Sequence, residues 1–144
     1  MIGMEILKPL AVLAGWTMLM WIWMYAKRIP AMNAAKIDSK TLVGGTGKSL
    51  DDVLPAEVQW IAHNYNHLHE APTVFYAVAL ALAVIGQGDG LNATIAWAYV
   101  GLRVAHSLVQ AISNRVIVRF ALFALSSLAL MALCLHLLLA VFHS

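Results

Sequence analysis

The chain has 144 residues, a length that fits one domain. Apolar residues make up 62% and charged residues 11%, against about 45–50% and about 25% in an ordinary soluble domain. That balance, with only nine Lys and Arg and a net charge of +2, excludes a soluble enzyme, a disordered tail and a nucleic-acid binder; the single cysteine, Cys134, excludes an internal disulfide and a cysteine-based zinc site. An integral membrane protein remains.

The expected architecture is all-α: one four-span membrane bundle over residues 1–144, with helices near 5–28, 55–86, 91–113 and 116–143. Residues 9–26 carry no charge, and about 20 apolar residues suffice to cross the hydrocarbon layer. Lys8 is offset by Glu5 before this run and Lys27–Arg28 follow it, as in a retained anchor rather than a signal peptide. Residues 29–54 form a polar connection. Its run Gly44-Gly45-Thr46-Gly47-Lys48-Ser49 glances at a phosphate-binding loop, but Leu42 stands where that motif needs glycine, and no strand precedes it. A flexible glycine turn is the simpler reading.

The second helix is predicted to begin at Pro55, with Glu57 favourable at its positive end. Only Pro72 interrupts it before Ile85, so it would run about 45 Å and kink at that proline. Its first half would project into the headgroup region. The third helix holds one charge, Arg103, and the run 120–144 holds none. His136, His143 and Cys134 on the last helix read as packing residues, as do Met18, Met20 and Met24 on the first.

Four spans put both termini on one side. Lys27, Arg28, Lys36, Lys40, Lys48, Arg115 and Arg119 fall at the first and third connections, against Lys8 alone on the terminal side. This bias places residues 29–54 in the cytoplasm and both termini outside it, in an inner or plasma membrane. Trp21, Trp23, Tyr25, Trp60 and Tyr65 would sit at the cytoplasmic interface.

Polar residues recur at helical spacing. His63, Asn66, His67 and Glu70 share one face of the second helix, and Arg103, His106 and Gln110 share one face of the third, with Tyr99 a turn earlier. Counted from the outer turn, Arg103 lies about 20 Å deep, His106 and Glu70 about 24 Å and Gln110 about 30 Å. Arg119 begins the fourth helix at that height. Lipid penalises such groups, so their stripes are expected to face one another around a polar pocket open to the cytoplasm. Glu70 and Arg103 would suit either a functional site or an ion pair that only holds the bundle. His63 and His67 at i, i+4, with Glu70 at i+7, also have a spacing that suits zinc, copper or iron.

The run Leu68-His69-Glu70-Ala71-Pro72-Thr73-Val74-Phe75-Tyr76 resembles the helix II signature of the MAPEG family (membrane-associated proteins in eicosanoid and glutathione metabolism), its bacterial members in particular. Arg103-Val104-Ala105-His106-Ser107, followed by Arg115 and Arg119, resembles that family's helix III and entry to helix IV. The resemblance implies a homotrimer that binds glutathione between subunits near the cytoplasmic side. It also implies transferase or peroxidase chemistry on lipophilic molecules drawn from the bilayer. Carried over by position, Glu70 would meet the glutathione amine and Asn66, His67, Arg103 and His106 would line the site. Arg119 would stabilise the thiolate, and Lys27 or Arg28 would reach a carboxylate. Gln110 stands where the family has a thiol-binding tyrosine. His63, Asn66 and His67 stand where its eukaryotic enzymes have two arginines and an asparagine. The alternative is a non-catalytic, lipid-binding or metal-binding trimer on the same scaffold, using His63, His67 and Glu70.

Overall fold

A computed structural model describes residues 2–36, 44, 50 and 53–143. Among the described residues there are five α-helices and no strand: α1 (Leu7–Ala34), α2 (Ala56–His67), α3 (Ala71–Val84), α4 (Leu91–Ile112) and α5 (Val116–Phe142). Four segments are long and apolar enough to cross a membrane, α2 and α3 together making the second. Lys40, Lys48 and most of the glycine run lie outside the described residues.

Two boundaries differ from expectation. The first helix continues through Pro30 to Ala34, so the polar connection starts at 35 rather than 29. Pro30 costs that helix one backbone hydrogen bond without ending it. The second difference bears on the site: the long second helix is broken outright, not merely kinked. α2 closes with tight three-residue steps, His69 N–H to the Asn66 carbonyl and Glu70 N–H to the His67 carbonyl, both at 3.1 Å. Glu70 then leaves helical geometry, at φ −94° and ψ −100°. Pro72 explains the position of the break. It has no N–H to give the Leu68 carbonyl, so the α2 hydrogen-bond ladder cannot run on through it, yet it suits a first helical turn. It sits in the opening turn of α3. Thr73 completes the restart, its amide and hydroxyl both donating to the Glu70 carbonyl, at 3.1 and 2.6 Å.

The shared interior is built from Leu13, Met20 and Met24 of α1, Ile61 of α2, Phe75 and Leu82 of α3, and Tyr99 and Val100 of α4. Phe75 and Tyr99 stack at 4.6 Å between ring centres. α5 buries only Ser126 and Leu133, and turns Ile117, Phe120, Leu128, Met131 and Phe142 outward. In water such a face would be a liability; in a bilayer it is the solvated surface.

One end of the bundle is closed by the chain's own N-terminal residues. Gly3 N–H donates to the Ala83 carbonyl at 2.8 Å and Glu5 N–H to the Asp89 carboxylate at 3.0 Å, while Ile6 is fully buried. Nearby, the Asn92 amide donates to the Gln87 carbonyl at 2.7 Å, and its oxygen lies 2.6 Å from His136 Nδ1, which ties α4 to α5. Packing is the role expected of His136, and the contact agrees with it. Gly3 and Gly88 meet backbone to backbone, and a side-chain carbon at Gly88 would run into the Gly3 carbonyl and the Ile6 side chain. Gly88→Ala is therefore expected to lower stability by about 1–3 kcal/mol, the usual cost of overpacking. Thermal unfolding in detergent reads this directly; a melting temperature equal to wild type would mean the N-terminal closure contributes nothing.

Candidate functional site

At the opposite end, α2 stops, α4 stops and α5 begins. Between them lies an open cavity of about 310 Å³ lined by His67, His106, Gln110, Arg119, Phe120 and Phe123, with Val116 at its edge. Four of the residues expected in a shared pocket therefore meet at one height. The turn from α4 to α5 positions the arginine. Asn114 adopts the left-handed conformation, φ 50°, which asparagine tolerates better than most residues. Its amide N–H bonds the Val109 carbonyl at 2.6 Å, and its side-chain oxygen accepts from Arg119 Nη1. Arg119 is held at the cavity wall rather than left to wander.

His67 ends α2. Its Nδ1 lies 3.1 Å from a carboxylate oxygen of Glu70, its ring centre 5.1 Å from that of His106 and 5.9 Å from that of Phe123. Both histidines are within electrostatic reach of Arg103 and Arg119. His69 points elsewhere, its Nδ1 at 2.9 Å from the Tyr65 carbonyl.

One turn further along α4, away from the cavity mouth, Arg103 is 1% exposed. None of its three guanidinium nitrogens has a hydrogen-bond partner among the described residues. The same is true of the Tyr99 hydroxyl, both amide atoms of Asn64, His106 Nδ1, the Ser107 hydroxyl and the Gln110 carbonyl oxygen. Buried polar atoms are almost always paired with protein, water or ligand, and an unpaired buried charge is costlier still. A run of such atoms along α4, with Asn64 one turn before His67 on α2, has the chemistry of a site that takes a polar occupant.

Several expectations need correction. Glu70 does not face Arg103. Arg103 feels the Glu70 charge, but no ion pair forms between them, because the break after His67 turns Glu70 to the surface, its side chain 68% exposed and bonded to His67. The proposed metal set fails for the same reason. The stripe His63, His67, Glu70 needs a continuous helix, and among the described residues no three His, Cys, Asp or Glu side chains gather as a metal site. Asn66 is exposed and away from the cavity lining. Arg28 reaches across to α2, its Nη2 3.4 Å from the Gln59 oxygen, and does not line this cavity within one chain.

Several contributors were not anticipated. Asn114 was missed, although asparagine between two helices is a turn signal. Asn64 was passed over in favour of the stripe beginning at His63, although it lies three residues from His67 on one face. Phe120 and Phe123 lie in the uncharged run 120–144, where nothing in the sequence separates cavity lining from lipid-facing surface.

These features define an integral, multi-pass membrane protein with a polar, cationic pocket where three of its helices end or begin. Within that class, the chain belongs to the MAPEG family, whose model matches residues 6–139. No curated protein and no solved structure gives a match. Membership brings, in general terms, membrane glutathione-related roles of the transferase or peroxidase type.

Proposed function

We propose that this chain is a glutathione-dependent transferase or peroxidase acting on lipophilic substrates that enter from the bilayer. The observation that carries the reading is Arg103, a buried cation with no hydrogen-bond partner among the described residues, set one turn behind a cavity that already holds Arg119, His67 and His106. Glutathione offers what these groups lack: two carboxylates, an ammonium and a thiol. A guanidinium suits a carboxylate because it can donate two parallel hydrogen bonds. Glu70 keeps a second oxygen for the ammonium. Arg119 stands where a thiolate would need a positive charge, and lowering a thiol's proton affinity with a nearby cation is the general route to a reactive sulfur. His106 and Gln110 supply further hydrogen-bonding atoms. Phe120, Phe123 and Val116 give an apolar wall opening toward the lipid side, suited to a hydrophobic co-substrate.

The working assembly in this reading is a homotrimer, with the pocket facing the cytoplasm and both termini outside. His63 and Asn66 on α2, and Glu70 at the break that follows it, are exposed polar residues within a membrane span. Lipid would penalise them; a neighbouring subunit would cover them and bring Lys27 or Arg28 toward the bound tripeptide.

Glutathione titrated into the detergent-purified protein is expected to raise its melting temperature. Linkage gives about 2.7 kcal/mol of added stability at one hundred times the dissociation constant. Zinc and copper salts are expected to have no such effect. A melting temperature that ignores glutathione would overturn the reading and leave the scaffold a lipid-binding or structural role.

A further inference from the structure

We propose that His67, oriented by Glu70, is the base that removes the thiol proton; the proposal rests on the glutathione reading above. Among the described residues lining the cavity, His67 is the imidazole that has a carboxylate partner. The turn Leu68–Glu70 brings that carboxylate back to Nδ1 at 3.1 Å. A carboxylate on one ring nitrogen fixes the tautomer: Nδ1 carries the hydrogen, and Nε2 is left as the acceptor. His106 has no such support, since its Nδ1 is buried and unpartnered. Gln110 has no proton to exchange at working pH, so proton transfer in this pocket falls to the histidines.

The charged and titratable groups facing His67 come from each neighbouring element. Glu70 follows it in the chain, Arg103 and His106 face it from α4, and Arg119 faces it from α5. The division of labour is then plain. Arg119 favours the sulfur anion, while Glu70 favours the imidazolium that forms when Nε2 takes the proton.

The step balances without a further reactant. The S–H bond breaks, its proton goes to His67 Nε2, and its electron pair stays on sulfur. That pair then forms the S–C bond to the electrophilic carbon of the lipophilic substrate. The displaced electrons settle on the leaving group or the adjacent carbon, which recovers the proton from His67.

The test uses the full-length protein in detergent with two probes. S-methylglutathione has no thiol proton and reports an intact site by calorimetry. Glutathione reports deprotonation through the ultraviolet absorbance of its thiolate, followed against pH. His67→Asn is expected to bind S-methylglutathione within about tenfold of wild type, yet to form thiolate at a midpoint about one pH unit higher or more. Glu70→Gln, which leaves the ring in place, is expected to move the midpoint in the same direction by less. If His67→Asn binds S-methylglutathione and its thiolate midpoint equals that of wild type, the base is elsewhere and the glutathione reading survives. If the wild-type protein binds neither probe, the reading and the base fall together.

Discussion

Arg119→Ala is expected to keep the fold and lose about 10²–10³-fold in kcat/KM for glutathione conjugation, the usual cost of removing one preorganised charge-stabilising donor. The loss should fall on kcat more than on KM, because the sulfur anion is present in the reacting state and not in the neutral thiol that first binds. Stability should change little. Arg119 is only partly buried, lies in the first turn of α5 and packs into no closed interior. Its hydrogen bond to Asn114 makes a graded control. Asn114→Gly keeps the left-handed turn available and removes only the side-chain acceptor, so it should cost a smaller factor through poorer positioning of the guanidinium. Steady-state kinetics on any turned-over electrophile decide the point. A loss under tenfold for Arg119→Ala would move thiolate stabilisation to Arg103 or to a neighbouring subunit.

What could be read from the sequence here was what lipid dictates. Uncharged runs of sufficient length gave the first and last spans, and helical spacing gave the faces on which Arg103, His106 and Gln110 lie. Those three are buried on one side of α4, because a bilayer leaves polar groups no cheaper place. Charge counting across connections gave an orientation, which remains a proposal about topology. Pairing was not legible. Spacing places Glu70 and Arg103 at one depth, but which atom meets which depends on backbone angles at Leu68–Glu70, and Pro72 removes a hydrogen bond there without specifying them. A kink would have kept Glu70 on the polar stripe. The full break turned it outward, and with it went both the Glu70–Arg103 pair and the three-residue metal set. Asn64 shows the same limit on a smaller scale. Its neighbours His63 and Asn66 were the more conspicuous polar residues, yet they are exposed, whereas Asn64 is 0% exposed and neither of its amide atoms is hydrogen-bonded among the described residues. Periodicity alone does not say which of two adjacent faces points inward when both carry polar groups.

Arg103→Met is expected to make the protein more stable and to abolish its response to glutathione. Arg103 is 1% exposed, forms no ion pair, and has none of its nitrogens hydrogen-bonded among the described residues. Methionine has similar length, no charge and enough flexibility to fill the space. Replacing buried ionic groups by apolar ones of similar volume is commonly neutral or stabilising by about 1–4 kcal/mol, and a gain in that range should appear as a higher melting temperature without ligand. With saturating glutathione the order should reverse. The wild type gains stability as the ligand's carboxylate pairs the guanidinium, and the variant gains little because it offers that carboxylate only apolar surface. Such a crossing separates the two roles open to a buried arginine. A residue holding the bundle together through Glu70 or Tyr99 would, on removal, lower the melting temperature with and without ligand. A residue kept for its ligand raises the first and blunts the second. If Arg103→Met unfolds more easily than wild type in both conditions, Arg103 is a structural anchor, and its buried, unpaired state no longer supports a carboxylate-binding pocket.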